Sequence, residues 1–286
     1  MIISRTPVRI SFLGGGTDYP DWYLEHGGAV ISSSIDKYVW VMFNDGKVIA
    51  SYDVPIKSGL ATSSAHTVAL LKILAELKTK DSNPAVVAQF ATLVEQDKLD
   101  NKIGSQDQHI CSVGGFRLLR FSVMGIKDYE FQNIDWLAKY LLLFHTQQHR
   151  LRAGDIVEAQ LNEMRDHIDS YYRLMDLVEA GRSVLEEKDW QGFGNLLDES
   201  WQIKRQLSSL ITTDAIDNIY SRGLKAGAVG GKILGSGGGG CILFLADPSK
   251  HEQIKGVLTE CWHIPFQFEK EGSKIIHKDD KISNSG

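Results

Sequence analysis

The sequence predicts a mixed fold of the α/β (α+β) class in two domains, and three observations predict it. Strand-like and helix-like stretches alternate through the first half, long helical patterns follow from about Asp155, and two apolar strand-like runs return around a glycine-rich segment. In order, VRISFL and YVWVMF read as strands. SSAHTVALLKILAELKT reads as a helix with Val68, Leu71, Leu74 and Leu77 on one face. Asn83-Pro84 supplies a cap and a first-turn proline for a second helix running towards Leu99. Strands follow near Phe116 to Phe121 and Tyr140 to Phe144. Ile156, Leu161, Met164, Ile168, Tyr171 and Met175 then recur at helical spacing, as a core-packing stripe. GKIL and CILFLA read as strands, Asp247-Pro248 caps a helix, and short strands close near Phe266 and Ile275. The boundaries expected are 1–135 and 136–277, with a polar, frayed tail at 278–286.

Composition narrows the function classes. With 286 residues, 43% hydrophobic and 23% charged, the chain has globular values and can bury a sizeable core. Its net charge of −5 and scattered basic residues give no nucleic-acid or membrane-surface footprint, so an anionic ligand would have to be held locally. Three cysteines without CxxC spacing argue against a disulfide framework or zinc site. No apolar run reaches the length of a membrane span, and a cytoplasmic location is expected.

Three glycine-rich elements carry the chemical signal. In RISFLGGGTDYP a strand runs into Gly14, Gly15 and Gly16, which allow a sharp bend at a strand end, and Asp18 follows at the edge of a cleft. A carboxylate there can accept two sugar hydroxyls, or simply cap a turn. In VPIKSGLATSSAHTVALL, small hydroxyl residues open a helix whose first N–H groups suit a phosphate, although an ordinary capped helix start would look the same. In GKILGSGGGGCILF, five of the six residues 235–240 are glycine, which needs a reason such as close approach by a ligand or a neighbouring loop. Between the second and third elements, EQDKLDNKIGSQDQH is rich in carboxylates, by default solvated; Glu95 and Asp107 could hold a metal and orient or deprotonate a hydroxyl.

Together and in this order these segments resemble the GHMP kinases from Arg5 to roughly Phe268. RISFLGGGTDY matches the first motif without a gap, and its GGGTD variant is similar to sugar kinases of the D-glycero-D-manno-heptose 7-phosphate kinase type. The resemblance implies an N-terminal βαβ-type domain, a C-terminal ferredoxin-like domain and an active site between them. It implies ATP and Mg2+ as cofactors and a sugar or sugar phosphate as substrate, phosphorylated at its anomeric hydroxyl.

The same resemblance makes Arg9 and Asp107 catalytic and assigns Gly15, Gly16, Thr17, Asp18 and Gln108 to the substrate. Pro55, Gly59, Leu60, Thr62, Ser63 and Ser64 fall on the phosphate loop. Gly237, Gly238 and Gly239 fall on the third motif, expected to fold against that loop. Ser63, with Thr62 next, and Glu95 become the metal ligands. Two departures stand out: Ala61 replaces a common glycine, and the stretch from Val48 to Pro55 is several tens of residues shorter than usual. Lys57, Arg117, Arg150 and Arg152 are the candidates for a substrate phosphate. A galactose- or fucose-type sugar 1-kinase and a non-catalytic binding module of the same fold remain alternatives, and oligomeric state is left open.

Overall fold

The computed structural model describes residues 1–78, 83–99, 102–148 and 152–279. The N-terminal half contains β1 (Ile2–Leu13), α1 (Pro20–His26), β2 (Gly28–Asn44), β3 (Lys47–Tyr52), α2 (Thr62–Lys78), α3 (Pro84–Leu93), α4 (Gln106–Val113), β4 (Phe116–Ser122) and β5 (Gly125–Glu130). Strand β2 pairs with β1 along one edge. Its other edge takes β3 over residues 39–44 and β4 over residues 28–33, both antiparallel. β3 and β4 therefore run parallel to each other with α2 to α4 between them, which is the βαβ-type crossover the resemblance implies.

The second sheet belongs to β6 (Leu141–His145), α5 (Ala153–Asn162), α6 (Ile168–Glu186), α7 (Trp190–Lys204), α8 (Asp214–Lys225), β7 (Ala228–Ile233), β8 (Cys241–Ala246), α9 (His251–Val257) and β9 (Trp262–His263). Its strand order, β7-β8-β6-β9, is antiparallel throughout and is the order of a ferredoxin-like βαββαβ unit. The chain then returns to the first sheet, where β10 (Lys274–Lys278) pairs with the outer edge of β1. One apolar core spans both sheets, joining Ile10 and Ile31 to Leu143 and Leu243, and a second lies between the smaller sheet and helices around Tyr171, Trp201 and Phe244.

Several local expectations are corrected. The buried face of α2 is Ala65, Val68, Ala69 and Ile73, while Leu74 is 50% exposed. Small residues face the sheet because α2 packs close against β1 and β2. The helix from Asn83 begins as expected, with the Asn83 side chain accepting from Ala85 N at 2.9 Å, but ends in a π turn over Val94–Lys98 that turns Glu95 inward. The stripe from Ile156 to Met175 is broken by a 3-10 turn at Met164–His167, which leaves Ile168 exposed. Near Phe266 there is a strand only at Trp262–His263; Phe268 makes a single bridge to Ile35. Strands β3 and β5 escape periodicity because most of their side chains are exposed and polar or mixed. Lys278, expected to begin the tail, pairs with Ile2, and residues 280–286 lie outside the described residues.

Candidate active site

The strand-to-turn segment at the end of β1 forms one wall of a cavity of about 540 Å³ between the two sheets. Period-2 alternation puts Arg9 and Ser11 on the same side of β1, and both line it. Arg9 is buried and makes a two-pronged pair with Asp107: Nε donates to Oδ1 and Nη2 to Oδ2, each at 2.8 Å. Its third arm, Nη1, donates to the carbonyl of Gly59 at 2.8 Å, tying the pair to the loop before α2. Such a fork–fork pair fixes direction as well as charge. Burial lifts the Asp107 carboxyl above its ordinary value; Arg9 pulls it back and Asp18 adds to the rise.

Asp18 is buried in the same wall, with Oδ1 accepting from Gly16 N at 3.1 Å and Oδ2 from Gln106 N at 3.3 Å. It therefore caps α4 and lines the cavity at once. Gly104 allows this packing, since a Cβ there would fall 1.9 Å from Asp18 Oδ2.

At the other end of the cavity lie Thr62, Ser63 and Ser64 at the start of α2, with Glu95 behind them. Glu95 accepts from Ser64 Oγ and Thr67 Oγ1, both at 2.8 Å, and from Gln108 Nε2. Burial pushes its carboxyl up, and these three donors work against the push. A carboxylate offers about four acceptor directions. Three are taken and one remains at Oε1, while the exposed Ser63, the neighbour of Ser64 in sequence, lies on the cavity wall. Among the described residues no cluster of three or more His, Cys, Asp or Glu could hold a metal alone. A magnesium ion here would share one carboxylate and a hydroxyl with substrate phosphates, which is its ordinary mode of binding.

The glycine run between β7 and β8 does pack on the phosphate-loop segment. Cys241 N donates to Ser58 O at 2.7 Å, a Cβ on Gly240 would lie 2.5 Å from Ser58 O, and a Cβ on Gly59 would lie 2.4 Å from Leu234 O. However, Gly235 and Ser236 form the cavity wall, whereas Gly237 and Gly238 face Ile211 and Ile156, and Gly239 is likewise off the wall. The middle glycines turn the chain, with φ of 103°, 70° and 136°.

Other expected residues are also placed away from the wall. Thr17 is fully buried; its hydroxyl donates to Gly14 O and Ala29 O and accepts from Ala29 N, stapling the turn to β2. Gln108 positions Glu95. Leu60 is in the core, and Pro55 is outside the lining. Gly15, Gly16, Lys57 and Arg152 do line the cavity, but Arg117 on β4 is paired with Asp128 on β5, and Arg150 lies outside the described residues. Two lysines not singled out from the sequence, Lys204 and Lys232, are buried in the wall at 5% and 2% exposure. Nothing in their neighbours distinguishes them from surface lysines. Ser11 was not singled out either, although its alternation with Arg9 is a signal that could have found it.

Known proteins match this arrangement. The GHMP kinases N terminal domain pattern matches residues 34–115 and the GHMP kinases C terminal pattern residues 182–264. The chain belongs to the GHMP kinases. It is thus an enzyme, a phosphotransferase, and among its described residues no helix is long and apolar enough to cross a membrane. Among relatives, it is 26% identical to the D-glycero-alpha-D-manno-heptose 7-phosphate kinase of Campylobacter jejuni subsp. jejuni serotype O:2, covering 96% of this chain and 98% of that one. It is 24% identical to the bifunctional fucokinase/GDP-fucose pyrophosphorylase of Arabidopsis thaliana, over 89% of this chain but 31% of that protein. A solved structure described as a D-glycero-D-manno-heptose 1-phosphate kinase from Bacteroides thetaiotaomicron superposes with a TM-score of 0.79 at 20% identity, over 98% and 100% of the two chains, and shares the GHMP kinase fold.

Proposed function

We propose that this GHMP kinase is an ATP- and Mg2+-dependent sugar kinase that phosphorylates the anomeric hydroxyl of a heptose 7-phosphate, yielding a 1,7-bisphosphate for nucleotide-activated heptose synthesis. The observation that carries the reading is the separation of two carboxylates. Asp107 is held by Arg9 beside Asp18, and Glu95 is held by hydroxyl and amide donors at the start of α2. Phosphoryl transfer asks chiefly for positioning and charge stabilisation, and this division supplies one carboxylate for each end of the reaction. The likeness to the Campylobacter kinase along nearly the whole of both chains favours the heptose acceptor.

In this reading Asp18 and the Gly15–Gly16 backbone receive sugar hydroxyls, and Asp107 aims the acceptor hydroxyl and takes its proton. Arg9 keeps the Asp107 carboxylate oriented and adds positive charge where the transferred group is negative. The helix start at Thr62–Ser64 faces the triphosphate. Glu95 and Ser63, with Thr62 next, would hold magnesium, which when bound would supply positive charge against the phosphates.

The deciding experiment is ATP turnover with magnesium across heptose 7-phosphate, galactose and fucose, with the product position read by phosphorus NMR. Turnover should select heptose 7-phosphate, and Asp107→Asn should lower it roughly 10²- to 10⁴-fold while nucleotide still binds. A preference for galactose or fucose would transfer the reading to a different sugar 1-kinase. Unchanged turnover in Asp107→Asn would remove that residue from the mechanism.

A further inference from the structure

Two side chains converge on Gly15, outside the Arg9–Asp107 pair, and a third adjoins one of them. A methyl carbon built on Gly15 would lie 3.4 Å from Ser11 Oγ and 3.8 Å from Lys204 Nζ. Lys204, the last residue of α7, donates from Nζ to Gly235 O at 2.7 Å and is 5% exposed. Lys232, 2% exposed, donates to Phe12 O at 2.7 Å, close enough to Lys204 that the two cations repel. Both ammonium groups are carried into the interior yet line the cavity. Asp107 attracts Lys204 and Asp18 attracts Lys232, but with Arg9 this stretch of the wall still carries three basic groups to two carboxylates, so an anion in the cavity would be met by surplus positive charge. Independently, the Ser11 hydroxyl is 95% buried, borders the same cavity and has no hydrogen-bond partner in the structure. An unsatisfied buried hydroxyl costs on the order of 1–3 kcal/mol, and a phosphate oxygen arriving at this point would accept from it.

We propose that Ser11, Gly15 and Lys204, with Lys232 adjoining, form the subsite for the acceptor's own phosphate, and that Lys204 is the residue that selects a phosphorylated over a neutral sugar. This rests on the kinase reading above for its acceptor, but gives Gly15 to the acceptor's phosphate instead of a sugar hydroxyl and assigns Ser11, Lys204 and Lys232, which that reading leaves open. Ser11 and Gly15 lie further along β1 and its turn than Arg9, whose backbone N–H already meets Leu60 O of the phosphate loop at 3.1 Å. That position favours the acceptor over the transferred group.

Steady-state kinetics on heptose 7-phosphate and on the unphosphorylated heptose test the assignment in Gly15→Ala, Lys204→Gln and Ser11→Ala. Gly15 has no positive φ, and its added methyl meets only ordinary contacts, so Gly15→Ala should fold and intrude on the subsite. Lys204→Gln should raise KM for heptose 7-phosphate roughly 10- to 150-fold, the range for a hydrogen bond to a charged group. KM for ATP should hold, and the preference over unphosphorylated heptose should collapse. Gly15→Ala should raise the same KM. Ser11→Ala should do so by about 5- to 10-fold without lowering the thermal midpoint, because no bond within the protein is lost.

A fall in kcat shared equally by both acceptors would assign Lys204 to the transferred phosphoryl group and overturn the proposal. So would an unchanged acceptor KM in Gly15→Ala, or a wild-type preference for the neutral sugar. If the wild type turns over neither acceptor, the kinase reading fails by itself, and calorimetric binding of heptose 7-phosphate decides the subsite. Binding that is lost in Gly15→Ala and Lys204→Gln retains it, and equal binding or none rejects it.

Discussion

Ala61 stands in the loop before α2 with φ of 61°, a left-handed conformation that glycine takes without a steric cost. Relief of roughly 1–2 kcal/mol of strain in the folded loop is offset by about 0.4–1 kcal/mol of extra chain entropy in the unfolded state. Ala61→Gly should therefore raise stability by up to about 1 kcal/mol in urea unfolding; a loss would mean that the methyl packs better than its backbone suggests. At the same scale, burial and the neighbouring Lys204 and Arg9 hold the Lys232 ammonium well below its ordinary value of 10.5. The unfolded chain keeps that proton up to the ordinary value, so wild-type stability rises with pH between the folded and unfolded values and is least below both. Lys232→Met lacks this dependence. Its stability relative to wild type should be highest at low pH and should decline as pH climbs towards 10.5; a flat difference would show Lys232 to be ordinary. The residues that resisted sequence reading are of this kind, since Lys204 and Lys232 look like any lysine until the fold closes over them. Arg9, Asp18, Glu95 and Asp107 were legible because their spacing to glycines and small hydroxyl residues is distinctive.

Among the elements, the turn after β1 and the loop before α2 depend on single positions. Thr17→Val keeps the shape but leaves Gly14 O, Ala29 O and Ala29 N without the shared hydroxyl. It should cost about 2–3 kcal/mol, measured by urea unfolding, with KM for sugar little changed once folded. A raised sugar KM at unchanged stability would return Thr17 to the substrate. Gly59 has φ of 82° and no room for a side chain against Leu234 O, so Gly59→Ala should cost about 2–4 kcal/mol and weaken nucleotide binding by moving the loop off the glycine run. Helix α2 shows why periodicity named the element but not its face. Leucines at 71, 74 and 77 outweigh Ala65 and Ala69 on any hydrophobicity pattern, yet close packing on a sheet selects the small residues. The π turn at Val94–Lys98, which brings Glu95 inward, has no sequence pattern of its own.

The fold of the whole molecule is closed by β10, whose Ile275 packs on the shared core while the strand covers the edge of β1. Removing residues 274–286 should lower the urea midpoint and promote aggregation, because it uncovers the edge of β1 from Ile2 to Arg5. Ending the chain after Asp279 should preserve the midpoint, since the pairing from Ile2 to Arg5 is kept. Mixed fold class and the order of its major elements were legible because glycine turns and apolar runs punctuate the chain. That the last strand returns to the first was not, since pairing between Arg5 and Lys274 is a property of topology and leaves no local pattern.

Strand β1 carries Arg9 and Ser11, yet its edge at Ile2 to Arg5 waits for a segment that lies far along the chain. At roughly 5–20 residues per second, the roughly 260 residues from Leu13 to Lys274 take on the order of 15–50 s to synthesise. Throughout that interval on the ribosome one edge of β1 from Ile2 to Arg5 has no partner strand. The larger sheet cannot be finished before Lys274–Lys278 has been made, so it stays incomplete until every strand of the smaller sheet has already been synthesised.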